Sequence, residues 1–405
     1  MKNYYGYGAA IITAIALAAC GGQSDESLNA NMHESIKAAA PVLPDYSDTV
    51  AAGYSHGLAV DTSGKMYGWG SNLQGQLGSN KPATSNYAIV IPRITGVSAV
   101  KAGEFHSVAL KKDGTVWSWG GNAWGQLGNG SEQTLMVPEA IHGLTSMTNI
   151  AAGRSHTVAV RSDGTVWSWG QSNQSAWLTP KQITGISNVK AVSAGQDFTM
   201  AVTKNGNLWA WGRNTSGQLG TGTQNYASTP TQVTGISGVV SVVAGQEHTV
   251  ALTANGLVWT WGSNASGQLG RTGGNSAVPR QVTGISGVRA IGAGTVNSAA
   301  VTASGALWNW GSNSHGQLSN GTTGVGGPTL VLSNITHNSD VEVSVALGDS
   351  FAIALGHYGD LLTYGWNIAG QGGNGPGIYP TYDPWGYPVL TAPSKSLFLA
   401  TSLRP

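Results

Sequence analysis

The chain repeats itself, and the period of the repeat limits its folds more than any other feature. Aligning on an Ala-Gly pair (once Leu-Gly) puts marker glycines at 53, 103, 153, 195, 245, 294 and 348. Successive spacings are 50, 50, 42, 50, 49 and 54 residues. Such a period belongs to stacked or radial repeats, where each unit buries its apolar face only against a neighbour.

Each unit carries four strand signals. In the second, Ala99 to Gly103 is a short apolar run, and "HSVAL" (106–110) alternates polar and apolar. An Asp113-Gly114 pair marks a hairpin. "TVWSWG" follows, with Trp117 and Trp119 two apart and so on one face of a strand. "MVPEAI" reads as a fourth strand, its Pro138 suited to a sheet edge. Seven such units predict an all-β fold, a seven-bladed β-propeller of four-stranded antiparallel blades whose radial closure protects sheet edges.

"GRSHTVAVRSDGTVWSWG" and "NTSGQLGTG" resemble repeats of the RCC1 (regulator of chromosome condensation) family over roughly residues 49–390. The turn glycine, the following His, "GxxW", "WG" and "NxxGQLG" recur in fixed order. The resemblance implies a seven-bladed propeller. Best-known members promote nucleotide exchange on a small GTPase and bind chromatin, which requires an intracellular location. Secreted bacterial members bind a β-lactamase with one face and inhibit it. Protein binding carries over as a class; the target does not.

The N-terminal stretch reads as an address. "MKNYYGYGAAIITAIALAAC" has an early Lys2 and an apolar run from Ala9 to Ala19, the size of a signal-peptide core. "LAAC" is similar to a bacterial lipobox, and Cys20 is the only cysteine. The expected organisation is a lipoprotein signal peptide (1–19), an acylated Cys20 with a flexible tether (20–45), and a propeller (46–405). Gly21 rather than Asp after Cys20 points to the outer membrane, facing the periplasm or the cell surface. The tail 395–403 reads as a strand that would return to pair near Val50.

His56, His106, His156 and His248 share one register, where other units place Phe198, Asn297 and Phe351. A position accepting all three residue types is scaffold. The tryptophan pairs, and Trp69, are expected to form core between blades. Function then falls where the units differ. The residues after each marker glycine and the "NxxG" loops are expected on one face, the Asp-Gly turns on the other. The pairs after the glycine include Glu104-Phe105, Arg154-Ser155, Gln196-Asp197 and Gln246-Glu247, changing chemistry blade by blade. Four tryptophans leave the register: Trp124, Trp177, Trp366 and Trp385. Trp124 and Trp177 read as the same loop of neighbouring blades, and Trp385 lies in a Gly/Pro/aromatic loop with Tyr382. Aromatics on a rigid face are typical binding anchors.

Partner-binding candidates are therefore Trp124, Trp177, Trp385, Tyr382, Glu104, Arg154, Asp197 and Glu247. The expected function is an envelope-anchored monomer recognising a protein or surface glycan through one face. It would need no cofactor or metal and would touch membrane only through its lipid. With 9% charged residues and a net charge of +1, the chain offers no general attraction to nucleic acid. The alternative is an envelope glycoside-processing enzyme, which needs two carboxylates about 5–10 Å apart. Glu104, Asp197, Glu247 and Asp349 are its candidates.

Overall fold

The computed structural model describes residues 48–80, 83–172, 175–318, 325–331, 342–356, 361–373, 381–382 and 388–395. Cys20, the tether and Trp385 lie outside them. The strands form seven antiparallel sheets, each built from strands consecutive in sequence. Blade one is β1 (Val50–Ala52), β2 (His56–Val60), β3 (Met66–Ser71) and β4 (Thr84–Val90). Blade two is β5 (Val97–Ala102), β6 (His106–Lys111), β7 (Val116–Gly120) and β8 (Leu135–Ala140). Blade three is β9 (Met147–Ala152), β10 (His156–Arg161), β11 (Val166–Ser172) and β12 (Ser175–Ile183). Blade four is β13 (Val189–Ala194), β14 (Phe198–Thr203), β15 (Leu208–Gly212) and β16 (Ala227–Gln232). Blades five, six and seven span 239–281, 288–331 and 342–395, and blade seven adds a two-residue outer strand, Thr381–Tyr382. The chain is a seven-bladed β-propeller.

Local chemistry explains the hairpins. In blade two Gly114 N–H donates to Lys111 O (2.9 Å), while Lys111 N–H donates to Thr115 O (3.0 Å). Gly114 sits at φ 79°, in left-handed backbone that glycine adopts without strain, so the loop has three residues with a glycine bulge. Asp113 Oδ1 caps it by accepting from Thr115 N–H (3.0 Å) and Thr115 Oγ1–H (2.6 Å). Proline has no N–H to give a ladder, and Pro138, Pro180, Pro230, Pro279 and Pro328 all fall on fourth, outermost strands.

The core is a set of layers between blades. In one, Leu58, Val60 and Met66 of blade one pack with Val97, Val100, Ala109 and Trp119 of blade two. The second tryptophan of each pair is the one buried there, fully in every pair but that of Trp211. The expectation for the first members is corrected: Trp117, Trp167, Trp209, Trp259 and Trp308 are only half-buried. They stand one residue pair nearer the Asp-Gly turns, where Lys111 lies 5.6 Å over Trp117 and Arg161 4.5 Å over Trp167.

Each "GQLG" loop also caps the next blade. Ser107 Oγ–H and Trp119 Nε1–H of blade two both donate to Gln76 O of blade one, at 2.8 and 2.9 Å. The same two-on-one arrangement joins Thr157 and Trp169 to Gln126 O, Thr249 and Trp261 to Gln218 O, and Ser298 and Trp310 to Gln268 O, all at 2.8–2.9 Å. Because each hydroxyl spends its proton on the carbonyl, it must accept from the histidine register. His56 Nε2 lies 3.0 Å from Ser107 Oγ, His106 Nε2 3.0 Å from Thr157 Oγ1, and His248 Nε2 2.9 Å from Ser298 Oγ. Burial holds these imidazoles neutral, pushed from 6.5 down to about 3 for His56 and His106 and about 4 for His156 and His248.

The marker glycines form a closed ring. A Cβ on any of the seven would lie 2.5–2.6 Å from the carbonyl oxygen of the next glycine around the axis, the last being Gly348 against Gly53 O. Blade seven meets blade one through the same devices as other junctions. Trp69 packs with Phe351, Ile353 and Leu361, and its Nε1–H donates to Gln371 O at 2.9 Å. Among the described residues β1 pairs only with β2, and Lys395 ends the fourth strand of blade seven, paired with Leu362, rather than beginning a strand near Val50. Residues 396–403 of that expected strand lie outside the described residues.

Candidate functional site

Hydrogen bonds fix which loops share a face. Gly121 N–H donates to Phe105 O (2.8 Å) and Arg213 N–H to Asp197 O (2.9 Å), tying the loops after the marker glycines to the starts of the "NxxG" loops. The Asp-Gly turns bond to the turns entering the next blade, as in Met147 N–H to Gly114 O (3.0 Å). The two faces are those the sequence predicts.

The "NxxGQLG" loop is built to hold one side chain outward. In blade two Asn122 Oδ1 accepts from Leu127 N–H (2.9 Å), and its Nδ2 donates to Ser131 O (2.9 Å) and Gln133 O (3.0 Å). Gln126 Oε1 accepts from Trp124 N–H (2.9 Å), so the backbone is satisfied internally and the indole is left 48% exposed. Gln74, Ser216, Ser266, His315 and Ala369 make the same backbone bond in other blades. One rigid position thus carries Gln, Trp, Ser, His or Ala, depending on the blade.

Trp177 lies in a strand and not in that loop. Without "GQLG", only two residues separate β11 from β12, and the ladder continues from Gly170–Trp177 to Ser172–Ser175. Trp177 is half-buried, with Lys181 Nζ 5.0 Å over its ring. The structure still joins it to Trp124's loop. A Cβ on Gly125 would be 3.2 Å from Trp177 O and 3.0 Å from Leu178 Cα, so the loop rests on that strand.

Exposed apolar side chains extend this site toward blades one and seven. Leu73 of blade one is 72% exposed, and Ile368 holds the same loop position in blade seven. Tyr54 and Phe105 are exposed, their ring centroids 6.0 Å apart. Blades four to six carry Thr215, Ala265 and Ser314 where Leu73 and Ile368 stand.

Ion pairs line the rim beside this arc. Arg154 Nε donates to Glu104 Oε2 (2.6 Å), a hydrogen bond that raises the arginine's pKa further. Arg213 lies between Asp197 (3.7 Å) and Glu247 (3.0 Å), and Glu247 also accepts from Ser216 Oγ (3.0 Å). The charge of Asp349, then burial, then Glu104 raise the pKa of the Tyr54 hydroxyl. Three of the four carboxylates considered for glycoside chemistry are therefore engaged by arginine. Tyr382 falls in the short outer strand of blade seven, and Trp385 lies outside the described residues. Arg213, Leu73 and Ile368 belong to the site without having been singled out as candidates. Arg213 follows "WG" directly, where its role depends on carboxylates in two other loops.

A seven-bladed propeller with one varied loop face is the class this geometry defines. Regulator of chromosome condensation (RCC1) repeats match residues 63–110, 113–160, 205–252, 255–301 and 304–355, and a second form of the repeat matches 48–76, 97–126, 147–175, 189–218 and 239–268, in part over the same residues. The chain belongs to the RCC1 repeat family. It is similar in fold to human WBSCR16, at 20% identity and a TM-score of 0.72, covering 82% of this chain and 93% of that one. It is similar also to yeast RCC1 (Prp20) bound to Kap60, at 20% identity and 0.71, covering 88% and 89%. A second structure of Prp20p from Saccharomyces cerevisiae, described with its binding to Gsp1p and histones, gives 21%, 0.70, 87% and 88%. No curated protein sequence matches the chain.

Proposed function

We propose that the protein is an envelope-anchored binding module that recognises another protein through the loop face of blades seven, one, two and three. The observation that carries this is Trp124, held 48% exposed by a loop whose backbone is already satisfied. A rigid, exposed indole on the same loop face as Leu73, Ile368 and the Tyr54–Phe105 pair supplies apolar anchors, and the ion pairs of Glu104, Arg154, Asp197, Arg213 and Glu247 supply a polar rim. Anchors inside a charged rim are the usual anatomy of a protein interface. Yeast RCC1, in complex with Kap60, lends the class of activity by analogy.

Anchoring through an acylated Cys20 to the outer membrane belongs to the same reading, supported by the lipobox-like "LAAC" and the absence of any other cysteine. Replacing Cys20 by Ser should move the chain from the membrane to the soluble fraction. Retention through a salt wash would show that lipid does not hold it. For binding, full-length chain is used to capture partners from envelope extract. Capture should be lost with Trp124→Ala and kept with Val278→Ala, a substitution at an exposed apolar residue of an outer strand. Capture indifferent to Trp124 defeats the proposal, and capture sensitive to periodate but not protease replaces protein with glycan.

A further inference from the structure

The junction of blades three and four keeps its donors and lacks their acceptor. Blade four supplies Thr199 and Trp211 in the register where other blades place a hydroxyl and an indole on one loop carbonyl. Blade three has no "GQLG" loop to offer that carbonyl. The Trp211 side chain makes no hydrogen bond among the described residues, and the residue is 9% exposed, against 0–1% for Trp119, Trp169, Trp261 and Trp310. Thr199 Oγ1 meets His156 Nε2, at 3.2 Å, and no loop carbonyl among the described residues.

One neighbour registers the same gap. Ser118 and Thr260 donate to the loop leucine's carbonyl (2.8 and 2.7 Å), whereas Ser168 turns back to Thr157 O (3.1 Å). The carbonyls of Leu178 and Ala277 accept from glycines that follow the loops, Gly130 (2.9 Å) and Gly222 (2.8 Å); among the described residues the corresponding carbonyl in blade four, Ser228, has no such donor, and neither has Met136 in blade two.

We infer that this notch takes an exposed Gly-x-x-Gly turn of a partner polypeptide, whose main-chain carbonyl accepts from Thr199 and Trp211 and whose following N–H donates to Ser228 O. The occupant's chemistry is read from the molecule itself: four junctions fill the same pair of donors with a main-chain carbonyl. The Trp211 indole N–H is not shut away from solvent, so a ligand carbonyl can reach it by replacing water. The inference rests on the protein-binding reading for the class of partner and names what this part of the face reads.

The test uses the chain's own loop as probe. Capped peptide Asn-Thr-Ser-Gly-Gln-Leu-Gly-Thr-Gly (214–222) is titrated into 15N-labelled full-length protein while the indole N–H resonances are followed, with Trp211→Phe assigning the signal. The Trp211 resonance should move downfield and saturate, and Thr199→Val should weaken binding at least about tenfold. Grafting the blade-two loop (121–134) in place of 171–176 should shift the signal without peptide and abolish binding. A Trp211 resonance unmoved at millimolar peptide, or moved equally by a scrambled peptide, overturns the inference. Capture that still depends on Trp124 would then leave the proposed function standing, so the two failures are distinguishable.

Discussion

Trp119 and Trp124 stand five residues apart in blade two and share nothing but their side chain. Trp119 is fully buried, its N–H bonded to Gln76 of the preceding blade, in an arrangement four other blades reproduce. Trp124 is exposed on a loop whose counterparts carry Gln, Ser, His or Ala. The layer between blades tolerates little because a change there must suit two sheets at once. The face above it tolerates much because its backbone is closed on itself by asparagine and glutamine side chains. Residue type says little about role in this molecule; position within the repeat says most.

The largest expected effect tests the uniformity of the buried layer. The four register histidines are neutral in the folded state and held far below 6.5, whereas the unfolded chain protonates near 6.5. Their contribution is complete above pH 6.5 and drains away as pH falls toward 4. At pH 5 the loss is about 2 kcal/mol per histidine. Thermal melts from pH 7.5 to 4.5 should show a steep fall that His106→Phe flattens, since Phe198 and Phe351 already fill that register. A flat profile for the parent chain would show that the imidazoles are not shut in.

Next comes the direct contrast. Truncating Trp119 to Ala should cost about 3–5 kcal/mol in chemical denaturation, and Trp124→Ala no more than about 0.5 kcal/mol. Equal losses would erase the distinction between layer and face. In partner affinity the order should reverse, with Trp124→Ala costing about 2 kcal/mol by calorimetry once a partner is captured.

The smallest effect concerns a lapse in the layer's own pattern. Ser146 (φ 58°) and Asn188 (φ 56°) occupy left-handed positions that Gly96, Gly238 and Gly287 fill in other blades. Ser146→Gly should therefore stabilise the protein, by about 0.5–1 kcal/mol. No gain would mean that the local hydrogen bonds already absorb the strain.

The propeller was legible because its signals are local and repeated: the marker glycine, the hairpin and the outer-strand proline each mark a strand boundary within a few residues. The face was legible for the same reason, since alternate chain reversals must fall on opposite ends of a blade. What escaped depends on pairs far apart in sequence. Arg213 acquires its role only when Asp197 and Glu247 are brought beside it. Trp177 resembled a loop residue because its unit is short, yet a lost loop lets β11 and β12 zip together and draws it into a ladder. The two members of each tryptophan pair look alike in sequence and differ only in how far along the layer they sit.

The ring of glycines has a further consequence. Gly348 seats against Gly53 as every other marker glycine seats against its successor, and Trp69 reaches Gln371 as Trp119 reaches Gln76. Among the described residues no sheet takes a strand from the far end of the chain, and the closing junction repeats the contacts of the others. The number of blades is then set by curvature, by how tightly seven backbones can crowd around one axis when nothing larger than a hydrogen atom stands between them. Loops can therefore vary from blade to blade without disturbing the ring they stand on.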